Sequence, residues 1–96
     1  MKYVLLQPRD DGMQLALFTL APLTHAQLAA PYVSTHTVKS AGFCMFSERE
    51  GQPPQVRVWG YSESLKAESH QDDARVIGAL LHATLKTSQP IDKEAA

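Results

Sequence analysis

The chain has 96 residues, of which 44% are hydrophobic and 20% are charged, a composition typical of one small globular domain. Its net charge of −1 disfavours a general nucleic-acid binder, which normally carries an excess of basic residues, and gives no reason to expect an anionic membrane as a partner. No apolar run approaches the roughly 20 residues of a membrane-spanning helix or has the form of a signal peptide, so we expect a cytoplasmic protein.

The first half of the chain predicts two strands and one short helix. Residues 2–7 and 13–19 are apolar and strand-like, and the turn residues between them predict a hairpin. Thr24 and Gln27 have the spacing of a capping box, in which each side chain bonds the backbone N–H of the other residue. We expect the helix that follows over residues 25–30, because Pro31 cannot continue it.

The second half predicts two further strands. Residues 42–47 are apolar on both faces, which is typical of a central strand and predicts that Cys44 is buried. The next strand is expected over residues 56–61, after a charged, proline-containing loop at 48–55. A short fifth strand over residues 64–67 is an alternative to a bend at that point.

The last element is an amphipathic helix. Ser69 has the position of its N-cap, and Ile77, Leu80 and Leu81 share its apolar face. The pattern continues to residue 86, so we expect one domain over residues 1–86. Residues 87–96 have too little apolar content to pack, and we expect a disordered tail.

The order of these elements is ββα followed by ββα, which predicts the α+β class. We expect a two-layer ββαββα domain whose four-stranded, mostly antiparallel sheet carries both helices on one face. In that arrangement, the other face of the sheet stays open.

Arg57, Trp59 and Tyr61 are the first candidate site. Positions separated by two share one face of a strand, so these side chains would face away from the helices if Val56 and Val58 face toward them. Trp, Tyr and Arg are the residues enriched at protein-binding hot spots. Three interpretations stay open: packing within a partly covered face, a surface for another protein or a second copy, and a surface for nucleic acid or a small ligand. Nearby glutamates disfavour nucleic acid.

His25, His70, Ser62 and Ser64 are the alternative candidate site. Residues 60–64 come close to the G-x-S-x-G nucleophile elbow, but Ser64 replaces the final glycine, which disfavours a catalytic serine. His25 and His70 each fall at a predicted helix start, and they form a site only if the two helix starts converge. Otherwise we expect both histidines to be exposed. No spacing of His and Cys predicts a metal site, and no motif predicts a cofactor.

Three short segments of the chain form a distinctive set. They are the strand Ser40-Ala41-Gly42-Phe43, the G-x-S-x-S-L pattern at residues 60–65, and a helix start with Ser69 followed by Asp72 or Asp73 and Ile77. In these segments the chain resembles a group of small uncharacterised bacterial and prophage proteins. Residues 1–5 and 23–25 are also similar, so the resemblance extends over about residues 1–82. It implies no activity and no catalytic residue. It implies a phage or prophage context, in which small proteins often bind host proteins.

The sequence therefore favours a small cytoplasmic protein that is a non-catalytic protein-binding or regulatory module of prophage origin. Its partner would be another protein or a second copy of the chain, which would make it a homodimer. One alternative is a small enzyme that uses the histidines and serines near the helix starts. The other is a weak nucleic-acid-binding module.

Overall fold

A computed structural model describes residues 1–20 and 22–82 of the chain. Four strands form one fully antiparallel sheet in the order β2-β1-β3-β4, and this confirms the α+β class and the predicted four-stranded sheet. The strands are β1 (Lys2–Pro8), β2 (Leu15–Thr19), β3 (His36–Arg49) and β4 (Gln52–Trp59), and a separate two-stranded ribbon consists of β5 (Tyr61–Ser62) and β6 (Ala67–Glu68). The helices are α1 (His25–Ala29), which runs into a 3₁₀ turn (Ala30–Tyr32), and α2, described over residues 73–82.

The two helices pack on opposite faces of the sheet, so the prediction that both lie on one face is wrong. Tyr3 and Leu5 of β1 share a core cluster with Ile77 of α2, whereas their neighbours Val4 and Leu6 pack with residues of α1. All four of these β1 side chains are buried. Because successive strand residues point to opposite faces, a strand that is apolar at every position needs a cover on both sides.

The start of α1 confirms the predicted capping box. The Thr24 hydroxyl accepts a hydrogen bond from the Gln27 N–H at 3.0 Å, and the Gln27 side chain accepts one from the Thr24 N–H at 2.8 Å. Pro31 lies in the 3₁₀ turn that ends the helix, where its missing N–H removes no α-helical hydrogen bond. The short helix is therefore defined at both ends by local sequence.

The β3–β4 hairpin is longer than predicted. Residues 42–47 lie in a central strand and Cys44 is buried there, which confirms both expectations. Burial raises the pKa of the Cys44 thiol. The predicted loop at 48–55 is wrong, because β3 and β4 turn tightly around Gly51, whose φ of 70° favours glycine. Proline is tolerated in β4 because that strand lies at the edge of the sheet.

The chain leaves β4 at Gly60, which has a φ of 78°. The predicted strand over 56–61 therefore ends at Trp59, and Tyr61 belongs to the ribbon instead. The ribbon also replaces the fifth strand considered at 64–67, since residues 63–66 form its turn. Leu65 and Ala67 pack on the same face as α1, so the ribbon extends the cover that α1 begins.

Helix α2 covers the other face of the sheet. It begins at residue 73, four residues later than the predicted cap at Ser69, whose hydroxyl donates instead to the Gly60 carbonyl at 2.8 Å. Its predicted apolar face is confirmed over the described residues, because Ile77 is buried and Leu80 and Leu81 pack beside it. The predicted end of the helix at 86 and the predicted tail at 87–96 lie outside the described residues. Within the described part of the chain, no helix has the length and hydropathy needed to cross a membrane.

Candidate functional site

The part of the sheet that the helices leave uncovered carries exposed aromatic, apolar and cationic side chains. Trp59 is 49% exposed and Met45 is 46% exposed, and Arg57 is exposed beside them. The strand register places Phe43 opposite Trp59 and Met45 opposite Arg57, so the four side chains share one face. We call this set (Phe43, Met45, Arg57, Trp59) the β3–β4 surface.

The position of α1 and the ribbon over the sheet explains why this surface is open. On this face, the cluster under α1 and the ribbon is built on Val4, Leu6 and Ala41, which belong to β1 and the first half of β3. Val56 and Val58 of β4 pack on the opposite face with α2. The second half of β3 and all of β4 therefore extend beyond the cover that α1 provides.

Trp59 is held in place by a ring contact. Its indole stacks on the Phe43 ring with centroids 6.3 Å apart and ring planes 25° apart. Phe43 in turn contacts the His25 ring edge-on at 5.5 Å. A side chain fixed in this way loses little rotamer freedom when a partner covers it.

Tyr61 reaches the same region by a different route from the one predicted. The strand ends at Trp59, so the spacing of two along one strand does not extend to Tyr61. The turn at Gly60 nevertheless places Tyr61, 57% exposed, at the edge of an open cleft of about 620 Å³ that Phe43 also lines. The Tyr61 hydroxyl donates to the Glu63 carboxylate at 3.2 Å. The complete lining of the cleft is Lys2, Thr24, His25, Phe43, Tyr61, Glu63 and Ser64.

His25 is buried, with only 4% of its surface exposed, so the expectation that it is exposed at the helix start is wrong. Its Nε2 lies 2.7 Å from the Gly42 carbonyl oxygen. Because a carbonyl only accepts, Nε2 carries the proton and donates this bond. The physical cause of the burial is that α1 lies directly against β3, where the imidazole satisfies a backbone acceptor.

Of the two serines of the alternative site, Ser64 lies against the start of α1, and Ser62 lies beside Ser64. The Ser64 hydroxyl accepts a hydrogen bond from the Ala26 N–H, and the Ser62 hydroxyl accepts one from the Leu65 N–H, each at 3.1 Å. The two hydroxyl oxygens are 3.3 Å apart. A serine nucleophile needs a hydrogen bond to its base, whereas the His25 ring forms its hydrogen bond with the Gly42 carbonyl. These contacts indicate a structural role for both serines.

His70 lies apart from this group in the chain segment before α2. It is exposed, as predicted, and it is not among the residues that line the cleft. Its backbone N–H donates to the Asp73 carboxylate at 3.0 Å. Within residues 1–20 and 22–82, no three His, Cys, Asp or Glu side chains come close enough together to hold a metal ion.

Sequence reasoning missed the buried pair formed by Tyr3 and Asp73. The Tyr3 hydroxyl donates to Asp73 Oδ2 at 2.5 Å, and both residues are buried. Burial is the main cause that raises the pKa of Tyr3 well above its usual range, and the hydrogen bond to Asp73 adds to it. A signal was present in the sequence, since Tyr3 is the one hydroxyl in the run YVLL and a hydroxyl on a buried strand needs a partner.

The segments around Gly42, Gly60 and Ser69 meet at one junction. A Cβ atom on Gly42 would lie 2.5 Å from the Trp59 carbonyl oxygen and 3.1 Å from Ser69 Cβ, so only glycine lets these segments approach. The backbone N–H and the hydroxyl of Ser69 both donate to the Gly60 carbonyl. The contacts made by these glycines and by Ser69 support the fold and need no catalytic role. Comparisons of the chain with protein-family models, with curated proteins and with solved structures found no match.

Proposed function

We propose that this chain is a non-catalytic protein-binding module that contacts its partner through Arg57, Trp59 and Tyr61, together with Phe43 and Met45. The observation that carries the proposal is the half-exposed Trp59, fixed on Phe43 in the uncovered part of the sheet. A Trp side chain in that position exposes a large apolar area to water unless another molecule covers it.

The composition of the surface supports a protein partner. Trp, Tyr and Arg contribute most to binding energy at protein interfaces, and Met adapts its shape to a partner. The acidic residues Glu63 and Glu68 lie in the adjacent ribbon segment, and the chain as a whole has a net charge of −1. Both features oppose contact with a phosphate backbone.

The proposal includes a cytoplasmic, regulatory role in a prophage context, as the sequence resemblance implies. The enzyme alternative gains no support from the contacts of the two serines, because the hydroxyls of Ser62 and Ser64 accept hydrogen bonds from backbone N–H groups. The His25 ring, which an enzyme would use as a base, is bonded to a backbone carbonyl.

The test is a double substitution, Trp59→Ala with Tyr61→Ala, in the full chain. We expect the variant to lose roughly tenfold or more in affinity for proteins recovered with the native chain from its host lysate, because two anchor side chains are removed. Circular dichroism checks that the variant is folded, and the mass in solution is measured in parallel to detect self-association.

The matched control is Met13→Ala with Leu20→Ala, which removes two exposed apolar side chains outside the β3–β4 surface. This control is expected to keep partner recovery unchanged. A folded Trp59/Tyr61 variant with unchanged partner recovery and unchanged mass would refute the proposal. Binding to oligonucleotides that weakens steeply with salt would favour the nucleic-acid alternative instead.

A further inference from the structure

Strand β4 is an edge of the sheet and has a free hydrogen-bonding side. It pairs with β3 on one side, and none of the strands in the described part of the chain pairs with it on the other. Its first half contains Pro54, which has no N–H to offer, but residues 55–59 contain no proline. The proline-free half of such an edge can accept a further strand.

The hydrogen bonds of Cys44 show which side each β3 residue faces. Its N–H donates to the Met1 carbonyl at 2.8 Å, and its carbonyl accepts from the Met1 amino group at 3.1 Å. Cys44 therefore directs its backbone groups toward the N-terminus and β1. Because the direction alternates along an antiparallel strand, its neighbours Phe43 and Met45 direct theirs toward β4.

The same alternation identifies the free groups of β4. Trp59 and Arg57 lie opposite Phe43 and Met45, so their backbone groups are used in the pairing with β3. Val56 and Val58 direct their N–H and C=O groups outward. The edge thus offers two donors and two acceptors, separated by the exposed Arg57 side chain, which has no carboxylate partner among the described residues.

A second copy of the chain is a poor occupant of this edge. The symmetric antiparallel register that pairs Val56 with Val58 of the other copy places Arg57 directly opposite Arg57, and like charges directly opposite each other are destabilising. The neighbouring symmetric registers pair one valine with Pro54, which has no N–H, or with Gly60. The Gly60 carbonyl already accepts two hydrogen bonds from Ser69.

We propose that the outer edge of β4 accepts an extended segment of a different protein as an added antiparallel strand. The segment has an acidic side chain opposite Arg57 and apolar side chains opposite Val56 and Val58, where it extends the half-buried row that packs beside α2. This inference rests on the proposed protein-binding function and adds the backbone pairing and the charge of the partner.

The first test is a charge exchange with blocked synthetic peptides added to the full chain. The probe peptide has the order Thr, Val, Glu, Val, Thr, and its counterpart has Lys in place of Glu. We expect the Glu peptide to bind the native chain roughly two- to tenfold more tightly than the Lys peptide, and Arg57→Glu to reverse the preference. Nuclear magnetic resonance shifts of the Val56 and Val58 amides report the pairing, and the fluorescence of Trp59, the only tryptophan, reports coverage of the surface.

The second test separates backbone pairing from side-chain contact. Val58→Pro removes an outward N–H without removing a hydrogen bond to β3. The variant is therefore expected to fold but not to bind the Glu peptide. A Glu peptide methylated at its valine amides is expected not to bind the native chain. The proposal is overturned if neither peptide shifts the two amides, if the charge preference does not reverse, or if Val58→Pro abolishes a homodimer. If Val58→Pro does not fold, the Arg57→Glu exchange still decides.

The two proposals fail in different ways. Partner recovery that is lost with Trp59→Ala and Tyr61→Ala but is unchanged in folded Val58→Pro would overturn the edge pairing and leave the protein-binding function standing. Peptide pairing at β4, together with partner recovery that Trp59→Ala and Tyr61→Ala leave unchanged, would overturn the proposed contact surface and leave the edge pairing standing.

Discussion

The Tyr3 hydroxyl donates a 2.5 Å hydrogen bond to Asp73 Oδ2, and this bond joins the middle of the sheet to the first turn of α2. The same carboxylate oxygen accepts the His70 N–H at 3.0 Å. Asp73 thus binds the chain before the helix and the strand beneath it at one point, which fixes where α2 begins.

Replacing Tyr3 with Phe tests the contribution of this bond. The variant keeps the ring in the core but leaves a buried carboxylate with one donor fewer, so we expect the free energy of unfolding to fall by about 1–3 kcal/mol. Urea unfolding followed by circular dichroism measures the change. The control is Tyr61→Phe, which removes an exposed hydroxyl and should change the free energy by less than about 0.5 kcal/mol. Equal small effects in both variants would contradict the assigned role of Asp73.

Alkaline pH should weaken the folded state through Tyr3. Burial and the hydrogen bond to Asp73 raise the pKa of Tyr3, whereas tyrosine in an unfolded chain ionises at about pH 10. Below that pH, Tyr3 keeps its proton in both the folded and the unfolded state, and its full contribution to the free energy of unfolding is present. Above it only the unfolded state releases the proton, so the free energy of unfolding falls as pH rises, by up to about 1.4 kcal/mol per pH unit.

Thermal unfolding of the native chain and of Tyr3→Phe, from about pH 8 to about pH 11, checks this dependence. The native chain should lose stability more steeply than the variant at the alkaline end. Parallel curves for the two proteins would show that Tyr3 does not cause the alkaline loss.

Replacing two glycines with alanine should change the free energy of unfolding in opposite directions. At Gly42, a Cβ atom would lie 2.5 Å from a backbone oxygen of Trp59, so Gly42→Ala should destabilise the fold by about 1–3 kcal/mol. At Gly78 in α2, the nearest atom outside the helix is a Val56 methyl at 4.0 Å. Gly78→Ala should therefore stabilise the fold by about 0.5–1 kcal/mol, because alanine favours the helix. Urea unfolding of both variants measures the two changes in free energy. An undiminished free energy of unfolding in Gly42→Ala would contradict the close approach of Gly42 to the Trp59 carbonyl.

The apolar residues of β1 indicated a cover on both faces of the sheet, and the fold prediction did not use this signal. The run YVLL is apolar at four consecutive positions, and all four residues are buried, two on each side of the sheet. That pattern predicts a covered strand on both faces, which is incompatible with two helices on one face. Placing the helices correctly required giving this local pattern more weight than the two-layer arrangement inferred from element order.

The candidate surface was partly predictable. Arg57 and Trp59 could be placed on one face because alternation in a strand is a local property. Tyr61 could not, because the break at Gly60 and the ribbon after it depend on hydrogen bonds between Gly60 and Ser69, nine positions apart. The prediction treated residues 56–61 as one strand, and the positive φ of Gly60 ended it two residues earlier.

The sequence by itself determined the features that act within a few residues, such as the Thr24–Gln27 capping box, the β1–β2 hairpin and the apolar face of α2. Each of these depends on spacing along the chain, which the sequence states directly. Only the tertiary structure decided that His25 is buried against Gly42, that Tyr3 meets Asp73, and that α1 and α2 lie on opposite faces. These contacts join residues 17 and 70 positions apart, and long-range pairing depends on how strands and helices pack rather than on any local pattern.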